Sequence, residues 1–405
     1  MSYFDDLETR SADQRASGFA LALPAQIANA QKLSGYADAL GAVDASAIQT
    51  VEDLAGLPVL RKSDLVQAQS GNGPLGGYGA LKTHEFAHIF QSPGPIYEPG
   101  GVGHDWWRIG RFLNAVGIGA GDIVQNCFGY HLTPAGMIFE NGARAVNAAV
   151  VPAGVGQTEL QVRAASDIGT TAFAGTPDYL KVILDKADEL GVKLGITKAA
   201  VGGGALFPSL RQEYADRGVL CLQNYATADL GNVAYESQAM EGMIVDEGVI
   251  VEIVTPGTGH PVAVGEVGEV VVTTLNRDYP LVRFATGDLS AVMAGQSPCG
   301  RTNMRITGWM GRADQTTKIK GMFVRPEQVA DLVAKHDEID RARVIAIRDG
   351  EMDRMIVQLE TSATDPARYE ASVMDCLKLR GRIELVAPGV LPRDGLVIED
   401  QREYD

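Results

Sequence analysis

Short apolar runs alternate with helical patterns from about residue 105 to residue 223, and this alternation constrains the fold more than any other feature of the sequence. The runs are 122–127, 146–151, 171–173, 199–201 and 219–223. Helical spacing of apolar residues marks 178–190 and 209–215. Runs of this length separated by helices predict parallel strands joined by crossover helices, hence an α/β fold with a doubly wound sheet. Ligands of such sheets bind beyond the carboxyl ends of the strands.

The pattern changes after these runs. Residues 249–254 and 269–274 are separated by prolines and glycines, which predicts antiparallel strands. From Lys318 onward the order is strand, helix, strand, strand, helix, strand, and Pro326 suits the first turn of the first helix. We therefore predict two domains, residues 1–313 and 314–405. The first contains mixed and parallel sheets flanked by helices, and the second is a small β-α-β-β-α-β domain.

Charge and composition exclude several classes of function. The 405 residues include 51 acidic and 35 basic side chains, a formal net charge of −16 that repels nucleic acid and anionic membranes. The four cysteines form no CxxC pair, which disfavours a zinc ribbon or a disulfide framework and favours a reducing compartment. The first residues lack the apolar core of a leader peptide. We expect a cytoplasmic protein that acts on a small molecule.

One short motif suggests a metalloprotease. His84, Glu85 and His88 match H-E-x-x-H, in which two histidines one helical turn apart bind zinc and the glutamate acts as a base. Prolines follow within a few residues, so no long helix can continue from the motif. The alternative is that both histidines lie on a segment leading into a loop.

Three further segments have spacings that suit a nucleotide. Gly202, Gly203 and Gly204 follow an apolar run, where bare backbone can approach a flat ligand. In 283–289 the carboxylate of Asp288 follows a glycine turn and can accept both hydroxyls of a ribose. Gly311, Arg312 and Asp314 stand shortly after. Each segment taken alone is equally compatible with an ordinary loop or with solvated surface charge.

Taken together, these segments resemble the phenylacetate-CoA ligase family of the adenylate-forming acyl-CoA synthetase superfamily. The resemblance rests on motifs in the expected order: 128–131, 175–177, 225–229, 280–289, 311–328 and 391–395. It implies a two-step ligation with ATP, Mg2+ and CoA as cofactors. An aromatic, phenylacetate-like carboxylate is first converted to an acyl-adenylate, and CoA then attacks it while the C-terminal domain moves. It is also compatible with a homodimer.

The resemblance also implies roles for individual residues. In nucleotide binding, Tyr225 stacks on adenine and Asp288 holds the ribose; the other candidates are Ser92, Gly94, Gly203, Gly204 and Arg312. Asp229 takes the place of the family's glutamate as the magnesium ligand. The catalytic set is Asp229, Arg312 and Lys320. Asp314 is the hinge, and Lys320 with Gly321 contacts CoA. The acyl group is bordered by Phe128, Tyr130, His131 and Ala226.

Two departures from the family pattern bear on catalysis. The segment 91–98 replaces a Ser/Thr/Gly-rich phosphate loop, yet two prolines remove amide donors and Glu98 adds a charge that repels phosphate. Leu396 stands where relatives usually place a lysine. Losing that cation costs about 2 to 4 kcal/mol of transition-state stabilisation unless Lys318 or Lys320 replaces it. The sequence therefore leaves two alternatives, an active ligase or an adenylation-impaired homologue that binds nucleotide or acyl-adenylate.

Overall fold

The computed structural model describes residues 2–92, 95–313, 315–320, 322–349 and 352–402. The helices are α1 (Ala12–Ala30), α2 (Ala37–Leu40), α3 (Val51–Leu54), α4 (Lys62–Gly71), α5 (Gly110–Val116), α6 (Ala135–Ala145), α7 (Thr158–Ile168), α8 (Pro177–Glu189), α9 (Pro208–Asp216), α10 (Pro326–Ala334) and α11 (Glu370–Leu377). Short 3-10 turns supplement them, including Thr83–Glu85 and Pro366–Tyr369.

The strands follow in chain order. They are β1 (Leu60–Arg61), β2 (His88–Ser92), β3 (Ile96–Gly100), β4 (Ile123–Asn126), β5 (Ala149–Pro152), β6 (Ala172–Gly175), β7 (Lys198–Val201), β8 (Leu220–Thr227), β9 (Gly231–Glu236), β10 (Met243–Val245), β11 (Val249–Val254), β12 (Val267–Thr274), β13 (Phe284–Met293), β14 (Arg305–Ile306), β15 (Thr317–Ile319), β16 (Met322–Val324), β17 (Ile339–Asp349), β18 (Met352–Thr361), β19 (Arg382–Val386) and β20 (Ile398–Asp400).

Contacts divide the chain into two compact units. Unit 1 contains the residues up to Val251 together with Val272–Phe284 and Met293–Gly308. Unit 2 contains Glu252–Val271, Ala285–Val292 and the residues from Trp309 onward. The division passes through strands β11, β12 and β13. The boundary at residue 313 that the sequence suggested stays a prediction.

Unit 1 contains the predicted parallel sheet. Strands β5, β4, β6, β7 and β8 lie side by side in that order, and neighbours are parallel. Antiparallel pairing then continues from β8 to β9, β10 and β14. The predicted α/β class is thus confirmed. Strand β5 begins three residues later than the apolar run at Val146, because Asn147 has a φ of +60° that closes helix α6.

Helix α8 illustrates why the crossover helices form where the sequence predicts them. Pro177 occupies the first turn, where the missing N–H costs nothing, and the helix buries Leu180 and Ile183. Both side chains are completely buried in a core cluster that also contains Phe173 of strand β6. Burying one such aliphatic side chain contributes about 1.5 to 3 kcal/mol. The periodic face of the helix therefore fixes it to the sheet.

Unit 2 contains a four-stranded sheet in the order β19, β18, β17, β20. The long hairpin of β17 and β18 is antiparallel, and β19 and β20 add to its two sides in parallel. The predicted order of strand, helix, strand, strand, helix, strand is confirmed along the chain. The single strand expected over 318–324 is instead two antiparallel strands, β15 and β16, because Lys320 has a φ of +47° that ends the first of them.

None of the helices within the described ranges combines the length and apolarity needed to cross a membrane.

A buried ion pair ties the N-terminal segment to the rest of unit 1. Glu8 and Arg301 are each about 2% exposed or less and contact one another. The hydroxyl of Tyr235 donates to Glu8 at 2.9 Å, and the backbone N–H of Phe4 donates to its other oxygen at 2.5 Å. Both oxygens of the buried Glu8 carboxylate therefore have hydrogen-bond partners.

We predict that Glu8→Gln lowers the free energy of unfolding of unit 1 by about 3 to 5 kcal/mol, because it leaves the Arg301 charge buried and unpaired. Urea unfolding followed by the fluorescence of Trp106 and Trp107 measures the change. Glu52→Gln, the same substitution at an exposed position of unit 1, serves as the control. An unfolding midpoint of Glu8→Gln equal to that of the control would contradict the prediction.

Candidate functional site

The predicted site residues of unit 1 follow the carboxyl ends of neighbouring parallel strands. Phe128 comes after β4, Gly203 after β7 and Asp229 after β8. Because parallel strands point in the same direction, their carboxyl ends meet at one edge of the sheet, where ligands of this architecture bind. The edge is therefore the candidate site of this unit.

Bare backbone lies beside an aromatic ring at this edge. A Cβ on Gly202 would lie 2.3 Å from Oδ1 of Asn224, so only glycine fits there. Gly203 has a φ of +68° and is exposed together with Gly204. The ring of Phe128 lies 3.9 Å from the position that a Cβ of Gly203 would occupy. The structure thus brings Phe128 and Gly203 together and leaves the glycine backbone open to a ligand.

The loop after β4 holds Tyr130 in one position. Nδ2 of Asn126 donates to the Tyr130 hydroxyl at 2.7 Å, and a Cβ on Gly136 would lie 2.8 Å from the Tyr130 ring. Burial, with the nearby Glu140 charge, raises the pKa of Tyr130, so the phenol stays neutral. His131 is exposed next to it. The tyrosine is therefore a fixed wall, whereas the histidine is free to meet solvent.

Tyr225 and Ala226 lie near the end of β8. The pairing of β8 with β9 is irregular between these two residues, so the strand is locally distorted where the site begins. Tyr225 is buried and Ala226 is partly exposed. Their roles beside adenine and the acyl group stay predictions.

Asp229 is paired with a lysine that the sequence did not single out. Nζ of Lys62 lies 3.0 Å from Oδ2 of Asp229, whose side chain is 1% exposed. Lys62 is the first residue of helix α4, where the helix dipole disfavours a positive charge. A lysine at a helix N-terminus is therefore the sequence signal that could have indicated that Lys62 pairs with a carboxylate outside its own helix. Its side chain is 39% exposed, so the ammonium also reaches water.

Glu98 lies within electrostatic range of this pair. The sequence suggested that its negative charge repels phosphate, and its environment changes that expectation. The residue is completely buried, and neither carboxyl oxygen has a hydrogen-bond partner among the described residues. Burial, with the charge of Asp229, raises the pKa of Glu98 to about 8, although Ser92 and Lys62 act in the opposite direction. At neutral pH the isolated protein therefore holds Glu98 mainly in its uncharged form.

The segment expected to hold phosphate is a β-hairpin. Strands β2 and β3 pair antiparallel up to Ser92 and Ile96, which leaves only residues 93–95 between them. The candidate Ser92 is buried, and Gly94 lies outside the described residues. Only three residues, two of them prolines, separate the strands along the sequence, so this segment offers few amide donors to a triphosphate.

The donor atoms at Asp229 suit magnesium. Oδ1 of Asp229 is buried without a hydrogen-bond partner in the described part of the chain, and carboxylate oxygen is the ligand type that Mg2+ prefers. No group of three or more His, Cys, Asp or Glu side chains suited to a metal occurs within the described ranges. Mg2+ commonly uses only one or two protein carboxylates and takes its other ligands from phosphate and water.

The zincin alternative is wrong. His84 and Glu85 lie in a 3-10 turn, and His88 begins strand β2. The two histidines are therefore not successive turns of one helix, which is the geometry that the motif requires.

Unit 2 brings together the predicted ribose and phosphate residues. Nη1 of Arg312 donates to Oδ1 of Asp288 at 2.9 Å, and the two residues also form an antiparallel bridge. Gly287 has a φ of +74°, and a Cβ there would lie 2.8 Å from Nη2 of Arg312. Trp309, which the sequence did not indicate, donates its indole N–H to the same oxygen at 3.1 Å. The Arg312 side chain is 55% exposed and can reach a ligand.

The remaining predicted residues of unit 2 fall into two groups. Lys320 is exposed in the turn after β15, and its backbone N–H donates to Asp353 at 3.3 Å. The predicted hinge Asp314 and the predicted CoA contact Gly321 lie outside the described residues, as does the side chain of Lys318.

Leu396 is partly exposed within unit 2, at a cavity whose wall is both apolar and charged. It lines a cavity of about 410 Å3 together with Val267, Val329 and Val333. Gln315 positions this segment, because its side chain donates to the carbonyl of Gly395 at 2.7 Å and accepts from the backbone N–H of Ile398 at 2.8 Å. The equivalence of Leu396 with the family's lysine stays a prediction.

Solved structures share this fold. The chain aligns with 2-hydroxyisobutyryl-CoA ligase, crystallised in an open conformation with 2-HIB-AMP and CoA, at a TM-score of 0.71 and 23% identity over 95% of this chain and 91% of that one. The same enzyme in the thioesterification state gives a TM-score of 0.69 at 24% identity, covering 98% and 92%. The chain therefore shares the fold of 2-hydroxyisobutyryl-CoA ligase.

Proteins of similar sequence are phenylacetate-CoA ligases. The phenylacetate-CoA ligase of Thermus thermophilus is 29% identical over 337 residues, which cover 79% of this chain and 75% of the relative. That of Escherichia coli K12 is 29% identical over 356 residues, covering 82% and 79%. No protein-family model matches the chain. The resemblance to phenylacetate-CoA ligases that the motifs indicated is confirmed over most of the sequence.

We predict a pH dependence of stability that originates at Glu98. Its pKa is about 8 in the folded chain and 4.5 in the unfolded chain, so between these values the folded state binds more protons. The free energy of unfolding due to Glu98 therefore falls as pH rises through this window and is level above it. Glu98→Gln removes the effect, and in EDTA it should gain on the order of 3 kcal/mol relative to wild type between about pH 5.5 and 8.5.

Urea unfolding of both proteins at the two pH values measures this difference. Glu52→Gln, at an exposed carboxyl, should follow the wild type. A constant difference between Glu98→Gln and wild type across the range would show that Glu98 ionises normally.

Proposed function

We propose that this protein is an ATP-dependent, AMP-forming acid-CoA ligase that acts on an aromatic, phenylacetate-like carboxylic acid. The observation that carries the proposal is the similarity to phenylacetate-CoA ligases along about four fifths of the chain, with the nucleotide motifs present in it. ATP, CoA and a small acid are the substrates, Mg2+ accompanies ATP, and the cytoplasm is the proposed location. A homodimer is compatible with this function.

Unit 1 supports binding of the acid and the adenine. Phe128 offers an aromatic wall beside the exposed backbone of Gly203, and Tyr130 is held in the loop after β4 by Asn126. Tyr225 stacks on the adenine, and His131 and Ala226 border the acyl group. Asp229 holds Mg2+, which neutralises phosphate charge when bound.

Unit 2 supports binding of the ribose and the phosphate. Asp288 is already oriented by Trp309 and Arg312, and a carboxylate fixed by two donors can accept the paired ribose hydroxyls without further ordering. The exposed guanidinium of Arg312 reaches the ribose or the α-phosphate. Lys320 contacts CoA or the phosphate.

The reaction balances in two steps. A carboxylate oxygen of the acid attacks the α-phosphorus of ATP, the bond to pyrophosphate breaks, and the mixed anhydride forms. The CoA sulfur then attacks the acyl carbon, the thiol proton is lost, and AMP leaves with the electron pair of the broken C–O bond. The first step is needed because a free carboxylate is a poor electrophile.

A second candidate function is binding of nucleotide or acyl-adenylate without the first step. The short connection between β2 and β3 and the leucine at position 396 favour it, because the corresponding positions of the family normally supply groups that stabilise developing negative charge. Acid-dependent exchange of labelled pyrophosphate into ATP separates the two candidates.

For the ligase we expect exchange, AMP and acyl-CoA when the pure protein receives ATP, Mg2+, CoA and a panel of aryl and short aliphatic acids. Asp288→Asn should raise the KM for ATP by about 10- to 100-fold, because charged hydrogen bonds to the ribose are lost. Asp337→Asn, at an exposed carboxylate, should leave KM unchanged. Folded protein with no exchange on any acid, yet with bound AMP, would identify the second candidate instead.

Leu396→Lys tests the role of the missing cation. If the position faces the reacting phosphate, the added ammonium should raise acid-dependent exchange on the order of ten- to a hundredfold. Val390→Lys adds the same charge at an exposed position nearby and should have no effect. An unchanged rate in Leu396→Lys would show that residue 396 is not equivalent to the family's lysine, and an equal rise in both variants would point to net charge alone.

A further inference from the structure

Glu98 requires a partner that the described chain does not provide. It lies on β3 and is completely buried, and both carboxyl oxygens lack a hydrogen-bond partner among the described residues. Buried polar groups are nearly always paired, since an unpaired one costs about 1 to 3 kcal/mol and a charged one more. Ser92 and Lys62 are near enough to lower the pKa of Glu98, but neither carboxyl oxygen is hydrogen-bonded among the described residues, so both oxygens are available to a bound group.

Two more unpartnered oxygens belong to the same neighbourhood. Oδ1 of Asp229 and the hydroxyl of Tyr279 are buried, and neither has a hydrogen-bond partner within the described ranges. The charge of Asp229 contributes to raising the pKa of Glu98, and both carboxylates contribute to raising that of Tyr279, so the three groups lie within electrostatic range of one another. Three buried side chains from separate segments thus each carry an oxygen without a hydrogen-bond partner among the described residues.

Lys62 supplies the positive charge in the absence of any ligand. Its Nζ lies 3.0 Å from Oδ2 of Asp229. The other three groups are buried, but the lysine side chain is 39% exposed and has a flexible stem. It can leave Asp229 for solvent without disturbing the core, which is how a displaceable occupant behaves.

We propose that Glu98 and Asp229 together form a two-carboxylate site for a divalent cation, and that the Lys62 ammonium occupies it until the cation binds. The inference rests on the proposed function, because the cation is the one that accompanies the nucleotide. It adds Glu98, from the second strand of the β2–β3 hairpin, as a second protein ligand. The Tyr279 hydroxyl positions a water on the cation or accepts from one.

The donor set defines the cation. All of the oxygens are hard ligands, and one or two carboxylates with the remainder from water and phosphate is the pattern of Mg2+ and Mn2+. No histidine or cysteine belongs to the described cluster, so softer metals such as zinc have no preferred ligand here. Displacing Lys62 frees its ammonium to neutralise the phosphate that arrives with the metal.

Electron paramagnetic resonance of Mn2+ tests the site without any reaction. The full-length protein, free of nucleotide and acid, is titrated with MnCl2, and free Mn2+ is measured. We expect one Mn2+ per chain, displaced by MgCl2. Glu98→Gln should weaken binding by about tenfold or more, and Lys62→Met should tighten it several-fold because the competing charge is gone. Glu52→Gln should equal the wild type.

Each result decides the proposal. Binding by Glu98→Gln as tight as by wild type, no tightening in Lys62→Met, or no binding by wild type below about 10 mM overturns it. Glu98→Gln preserves the shape of the side chain, whereas Lys62→Met leaves the buried Asp229 carboxylate without its partner and should lower the free energy of unfolding. Circular dichroism and urea unfolding therefore establish that both variants are folded under the conditions of the titration. Because no ATP or acid is present, failure of the ligase assay leaves this result intact, and unaltered Mn2+ binding in Glu98→Gln leaves the ligase proposal intact.

Discussion

The parallel pairing of β4, β6, β7 and β8 is the constraint on which the candidate site of unit 1 depends. Backbone hydrogen bonds between these strands set their direction, and the direction alone brings the loops after their carboxyl ends to one edge. Local backbone geometry then selects the residues. Gly202 fits against Asn224 only because it has no side chain, and the ring of Tyr130 lies over Gly136 for the same reason. The position of the site is therefore set by the sheet, and its shape by a few small residues.

An acidic chain that binds anions has to place its cations with care. The net charge is −16, and in both units the candidate cation is already paired with a carboxylate, Lys62 with Asp229 and Arg312 with Asp288. Such pairs keep each cation oriented before a ligand arrives, at the cost of part of its attraction for phosphate. The exposed fractions of Lys62 and Arg312 show that both can exchange this carboxylate for a ligand.

The sequence predicted the secondary-structure elements more successfully than it predicted the contacts between side chains. The short apolar runs between helical segments located the parallel strands. A strand that is buried on both faces has a continuous apolar run, which is visible in the local sequence. The turn at Lys320 was missed, since a non-glycine residue with positive φ leaves no pattern in the sequence. The resemblance, rather than any spacing, singled out Asp288 and Arg312. Lys62 and Trp309 were missed, because their contacts depend on the tertiary fold. Lys62 pairs with Asp229 across 167 positions of the chain, and Trp309 donates to Asp288. Glu98 was noticed but misjudged, since burial changes its charge state.

On the proposed function, the short β2–β3 connection and the buried Glu98 are two parts of one arrangement for neutralising negative charge. A glycine-rich loop neutralises phosphate with many partial charges on backbone amides. Three residues between Ser92 and Ile96 cannot present such a set. A divalent cation concentrates two full charges at one point, but a cation held by Asp229 alone has to compete with Lys62 for that carboxylate. A second carboxylate, Glu98 on the second strand of the hairpin, would offset the competition. On the proposed function, the residue that looked like an obstacle to phosphate binding is the one that lets the cation replace the loop.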